Sequence, residues 1–293
     1  MNIRVLLSAL LICCTMLSCD KSISLGDTSM SKKVDELRLN DLTYGTGNAH
    51  KMDVSLPQGR SGKNPVVILL HGSYWTTGDK QSMSRWQDSF TRSNIGVINI
   101  NTRNADTSGV HYQEIVEDIR AAINYVSAHS AEWNIRNSGY VLMGMNSGGH
   151  LALLYTHKYN YDGKIKAVIG LAAASDLTDD RYISNMIAGS KEKELVAITG
   201  KEFATGSGLP VQYMEASARF YPKKTPTLLI HGKADDIVPF SQANAFHLLL
   251  DNQQCYSRLL PVAGAGHDLN LSNQASAAAI HQEMQRWCWD FGM

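Results

Sequence analysis

Six short runs of aliphatic and β-branched residues, at 66–70, 97–100, 140–143, 165–171, 227–230 and 256–262, punctuate this chain. Stretches with helical spacing lie between them, near 84–92, 112–129, 147–157, 241–251 and 274–289. Strands that alternate with helices pair in parallel, because each crossover returns the chain to the edge it left, and the helices then cover both faces. Ahead of this pattern, two alternating segments at 36–44 and 51–56 flank Gly45-Thr46-Gly47-Asn48 and read as a hairpin. Residues 175–221 break the alternation. They contain charged helical material at 191–195 and the turn Gly206-Ser207-Gly208, and are too long for an ordinary connection. The expected organisation is one domain over 34–293 with a cap insertion at 175–221.

The first residues belong to something else. Met1-Asn2-Ile3-Arg4 is followed by an apolar run from Val5 to Leu17, the length of an export signal and too short for a comfortable membrane span. Met16-Leu17-Ser18-Cys19 resembles a bacterial lipobox, with Met16 in place of the usual leucine. Residues 1–18 are therefore expected to be a lipoprotein-type signal and Cys19 a lipidated cysteine. Residues 19–33, rich in serine, are expected to be a tether. The protein is accordingly expected to be exported and anchored by lipid at a bacterial cell envelope. The chain carries 27 Lys+Arg against 27 Asp+Glu, with no long run of one sign, which argues against nucleic acid as a partner.

In a parallel sheet, functional side chains gather where strands end. After 66–70 comes His71-Gly72-Ser73-Tyr74-Trp75, and after 140–143 comes Gly144-Met145-Asn146-Ser147-Gly148-Gly149-His150, opening a helix. After 227–230 comes His231-Gly232-Lys233-Ala234-Asp235, and after 256–262 comes Gly264-Ala265-Gly266-His267. This ordered set resembles the α/β-hydrolase superfamily, and within it the esterase branch that includes bacterial acetyl and feruloyl esterases acting on carbohydrate-linked esters. The resemblance spans nearly all of the chain after the tether. It implies an α/β-hydrolase fold, a mostly parallel central sheet with helices on both faces, and carboxylic-ester hydrolysis of a small-molecule or glycan-linked ester.

Carried over by position, the resemblance makes Asp235 the acid and His267 the base, in the chain order this fold uses. Such a pair works because a neutral imidazole takes the nucleophile's proton while the carboxylate fixes its tautomer. Backbone N–H groups around Ser73 and Tyr74, with that of Ser147, would receive the oxyanion; Tyr74 and Trp75 line the acyl pocket or belong to the core. The departure is at the elbow. In the frame Gly144-Met145-Asn146-Ser147-Gly148 the nucleophile position holds an amide, which has no ionisable proton and a delocalised nitrogen lone pair. Asparagine does tolerate positive φ, so the turn itself survives. Four readings stay open here. Ser147 is a shifted nucleophile; or His267 activates water against a bound ester; or Asn146 deamidates to a carboxylate. In the last, the site binds a ligand without turning it over, as a non-catalytic envelope lipoprotein or through an introduced inactivating change.

The remaining polar residues read as structural. His71 and His231 precede glycines and shape turns, His150 packs or hydrogen-bonds on the elbow helix, Asp118 makes a structural contact, and Asp236 stands beside the working Asp235. The ten histidines include no His-Glu-X-X-His and the cysteines no Cys-X-X-Cys, so neither metal nor cofactor is expected. Cys13 and Cys14 leave with the signal. Cys255 and Cys288 both fall near the bottom of the sheet, which leaves a disulfide and two buried thiols equally open.

Overall fold

The computed structural model describes residues 34–203 and 208–293. The expected signal, Cys19 and tether lie outside the described residues, as do Gly206 and Ser207. Among the described residues, eight strands form a single sheet in the order β1-β2-β4-β3-β5-β6-β7-β8: β1 (Leu37–Thr43), β2 (Lys51–Leu56), β3 (Val66–Leu70), β4 (Gly96–Ile100), β5 (Tyr140–Met145), β6 (Ile165–Leu171), β7 (Thr227–Gly232) and β8 (Ser257–Val262). The expected hairpin is β1–β2, antiparallel, and β2 joins β4 antiparallel with Met52 opposite Ile100. From β4 across to β8 every pairing is parallel. Pro261 sits in β8, at the sheet edge, where a missing N–H costs no ladder bond.

The described residues also form eight α-helices: α1 (Ser84–Arg92), α2 (Tyr112–Ala128), α3 (Ser147–Leu154), α4 (Asp180–Ala188), α5 (Glu192–Thr199), α6 (Val211–Glu215), α7 (Phe240–Asn252) and α8 (Gln274–Phe291); α1, α2, α3, α7 and α8 cover the sheet. The period-two alternation of strand side chains decides which helix goes where. Val66, Ile68 and Leu70 of β3 point to the face packed by Ile115 and Ile119 of α2, Leu153 of α3, and Phe246 of α7. Val67 and Leu69 point to the opposite face, against Trp86 and Phe90 of α1 and Met284 and Trp287 of α8. After Leu154 the elbow helix widens into a π turn, Tyr155–Tyr159. There the buried His157 contacts Thr227 Oγ1 at 3.0 Å.

The two-faced core also answers the cysteine question. Cys255 packs in the α2/α3/α7 layer and Cys288 in the α1/α8 layer, and both are free thiols. Height along the sheet alone would bring them together, but the sheet stands between them. Equal melting temperatures with and without reductant are expected; a drop on reduction would contradict this placement.

Residues 175–221 carry α4, α5 and α6 between β6 and β7, and the two ends of the segment are stapled together. Arg219 Nη1 bonds Asp176 Oδ2 at 2.8 Å, and Ser217 Oγ receives Leu177 N–H at 2.7 Å. Gln242 of α7 accepts from Ser175 N–H at 3.0 Å and Asp176 N–H at 3.1 Å through its side-chain oxygen. The insertion is thus closed on itself and tied to the sheet's covering helix.

Candidate active site

The turn between β5 and α3 can be built only with glycines around a strained centre. A Cβ on Gly144 would lie 2.1 Å from Gly148 O, and one on Gly148 would lie 2.4 Å from Leu70 O. Gly144→Ala is therefore expected to abolish soluble folded protein, whereas Gly62→Ala, with nothing within 4 Å, leaves yield and circular dichroism unchanged. Between these glycines Asn146 adopts φ 54°, ψ −123°, a conformation that costs about 1–3 kcal/mol and persists only where the surroundings over-determine it.

The surroundings do so through the amide. Ser147 N–H donates to Asn146 Oδ1 at 2.5 Å, capping α3. A backbone N–H has only a proton to offer, so the oxygen must face it and Nδ2 must face the other way. On that side Nδ2 meets His267 Nε2. His267 Nε2 then acts as acceptor, and Nδ1 carries the proton that it donates to Asp235 Oδ2 at 2.8 Å. The result is one continuous chain of donors and acceptors running from Ser147 through Asn146 and His267 to Asp235.

Asp235 closes that chain as a buried carboxylate. Its Oδ1 accepts from Ile237 N–H at 3.0 Å and Val238 N–H at 2.9 Å, and His231 Nε2 lies 3.1 Å from its Oδ2. Burial works against its ionisation, but hydrogen bonds from His231 and His267 outweigh that and hold the carboxyl well below the usual range. His231 is the site residue that sequence reasoning left as a turn former; its place four residues before the acid was the available signal. Asp236 is exposed.

The loop after β3 is unusual. Ser73 (φ 94°), Tyr74 (φ 53°) and Trp75 (φ 64°) are three consecutive left-handed residues without a glycine among them. Gly72 presses the loop against the elbow, since a Cβ there would meet Met145 O at 2.8 Å and Asn146 Cβ at 3.2 Å. The backbone N–H groups of Ser73, Tyr74 and Trp75 have no protein acceptor among the described residues. Trp75 is 4% exposed and packs as core, while Tyr74 is partly buried beneath Lys191, whose Nζ lies 4.9 Å from the ring centroid. From the insertion, Asn185 Nδ2 donates to Ile237 O at 3.2 Å, so α4 rests on the acid loop.

The structure therefore brings together Asn146, His267 and Asp235, with the Ser73–Trp75 loop beside them. It does not bring in the Ser147 hydroxyl. That side chain is 2% exposed, and its Oγ has no partner among the described residues. A buried orphan hydroxyl costs about 1–3 kcal/mol, so Ser147→Ala is expected to stabilise the fold in urea titrations by about 1 kcal/mol. Destabilisation would mean that the hydroxyl has a partner. Asp118 takes the structural place expected of it, pairing with Arg103 at 2.6 Å and His50 at 3.0 Å.

A family model described as BD-FAE matches residues 52–250. Among curated proteins, the chain is 24% identical to "Probable carboxylic ester hydrolase LipM" of Mycobacterium tuberculosis over 83% of this chain and 59% of that protein. It is likewise 24% identical to "Isoprenylcysteine alpha-carbonyl methylesterase ICME" of Arabidopsis thaliana over 77% of this chain and 55% of that protein. The chain thus spans little more than half the length of these two relatives. Among solved structures, a "Truncated form of carbohydrate esterase from gut microbiota" superposes with TM-score 0.72 at 21% identity, covering 89% of this chain and 98% of that one. An "acetyl ester-xyloside bifunctional hydrolase from Caldicellulosiruptor lactoaceticus" gives TM-score 0.68 at 18% identity, with coverage of 89% and 98%.

Proposed function

The chain belongs to the BD-FAE family of α/β-hydrolases, and from that premise we propose that its site takes a small-molecule or glycan-linked carboxylic ester and hydrolyses it without a serine nucleophile. The observation that carries this reading is the Asp235–His267 pair. It is intact, correctly tautomerised and aimed at the elbow. An ester whose carbonyl oxygen displaces Asn146 Oδ1 from Ser147 N–H would find that donor, with the Ser73–Trp75 loop, whose N–H groups have no acceptor among the described residues, packed beside the elbow. His267 Nε2, released from the Asn146 amide, is then a base for water. Sites lacking a triad member retain about 10³–10⁴ over the uncatalysed rate from oxyanion binding alone, so turnover is slow.

A short-chain p-nitrophenyl ester assay tests this directly. The parent is expected to exceed both a buffer blank and His267→Ala, and equal rates for all three would overturn hydrolysis. One observation favours a second reading, binding without turnover: in the resting site the amide of Asn146 already occupies both His267 Nε2 and Ser147 N–H. Calorimetric titration with a non-hydrolysable ester analogue, in a parent with blank-level activity, would support it. We assign the protein to the cell envelope on the strength of residues 1–19. Cys19→Ala is expected to release it from the membrane fraction, and unchanged fractionation would remove the lipid anchor from the proposal.

A further inference from the structure

His150, on the elbow helix, is held by two hydrogen bonds that permit one tautomer only. Trp75 Nε1 lies 3.0 Å from its Nδ1, and an indole N–H can only donate, so Nδ1 is the bare nitrogen. The ring proton is therefore on Nε2, which donates to Ala216 O at 2.7 Å. The ring is completely buried, and burial lowers its pKa to about 4, so it stays neutral at physiological pH. Its two polar ends join three separate pieces of chain: the loop after β3, the start of α3, and the residue that caps α6.

The loop after β3 needs such a tie. Three successive left-handed residues without glycine do not hold their shape by local preference. Few contacts fix them: Trp75 O accepts from Ala105 N–H at 2.9 Å, Ser73 Oγ bonds Thr77 Oγ1 at 2.8 Å, and the Trp75 indole is anchored on His150. The indole is the deepest of these anchors. If its acceptor were removed, a buried N–H would be left unpaired, and relief would come by moving Trp75, the last residue of the left-handed run.

We propose that His150 is a positioning residue: through Trp75 it holds residues 73–75 in the form that presents their N–H groups beside the elbow, and through Ala216 it docks the 175–221 insertion on the same frame. The inference rests on the esterase-like reading of that loop for its purpose, but its test needs no turnover, so the two fail separately.

Hydrogen–deuterium exchange on the full-length protein reads the proposal directly. In His150→Leu, peptides covering 103–107, whose Ala105 N–H donates to Trp75 O, and 211–218 are expected to exchange at least about tenfold faster, while those from β6 keep parent rates. In His150→Gln, whose amide supplies both an acceptor and a donor, most of that protection is expected to return. Parent-like exchange of both segments in His150→Leu would overturn the proposal. So would a folded His150→Gln that behaves like His150→Leu, since ring packing alone would then be the role. If His150→Leu does not fold, Trp75→Phe deletes the indole donor and is expected to speed exchange of 103–107 by itself; protection equal to the parent's would overturn the proposal equally.

Discussion

Asn146→Ser is expected to raise the rate of short-chain ester hydrolysis by at least ~10³-fold, since removing the serine or histidine of a hydrolytic triad costs about 10⁶ elsewhere. Every other part of the machinery is already placed. The elbow holds position 146 at φ 54°, His267 Nε2 is an acceptor aimed at that side chain, and Asp235 fixes the tautomer. A serine Oγ would take the proton-donating place now filled by Nδ2. The exchange would also free Ser147 N–H, which the amide oxygen now occupies at 2.5 Å, to receive an oxyanion. One such donor is worth about 2.7–4 kcal/mol of barrier.

The gain in activity should carry a loss in stability. Asn146 makes two hydrogen bonds through one side chain and tolerates its positive φ better than serine does. Replacing it gives up one of those bonds, so a loss of about 1–2 kcal/mol in urea unfolding is expected. A folded Asn146→Ser protein with parent-level turnover would show that position 146 is not the nucleophile position. A variant that is both faster and more stable would show that the amide locks nothing.

The sequence made this arrangement legible to different depths. Strand and helix positions were readable because β-branched runs at 66–70 and 165–171 end at glycine- or alanine-rich loops, and both runs reappear as β3 and β6 with unchanged bounds. The elbow was readable because steric demand writes itself into residue type: only glycine fits at 144 and 148. The Ser73–Trp75 loop was not readable as left-handed, because none of its residues has that preference; the run ends on Trp75, whose indole bonds His150. The facing of the cysteines was lost for a related reason. Reach along the chain gives height in the sheet, while the side of the sheet depends on whether the chain continues into the α7 or the α8 layer. His231 was visible as a residue but not as a partner of Asp235, since that contact depends on the loop folding back after β7.

Asp235→Ala is expected to be the most destabilising single change at the site, by about 3–5 kcal/mol, the usual cost of breaking a buried hydrogen-bonded charge pair from one side. Three donors converge on this one carboxylate, Ile237 N–H, Val238 N–H and His267, and His231 Nε2, which also bonds Val238 O at 2.9 Å, lies 3.1 Å from its Oδ2. Truncation leaves the two backbone N–H groups without that acceptor and His267 Nδ1 without its carboxylate. The same carboxylate sets a pH dependence whose sign follows from its lowered pKa. A group that is more acidic folded than unfolded stabilises the fold above its unfolded pKa of about 3.9, and that contribution is lost as the pH falls below this value toward the folded pKa. The parent should therefore lose stability steeply on acidification below about pH 4, and Asp235→Ala should lose distinctly less over the same interval. Asp235→Asn separates charge from shape: it keeps the volume, and its amide oxygen can still accept from the two loop N–H groups. In the Asn146→Ser background it should cost about 10⁴ in kcat, because an amide facing His267 favours the wrong imidazole tautomer. Urea titrations of the parent and Asp235→Ala from neutral pH into acid carry the decision. Parallel losses in the two proteins would mean that the carboxylate is not held ionised by its neighbours, and the Asp235–His267 pair could not then be the element that fixes the tautomer of His267.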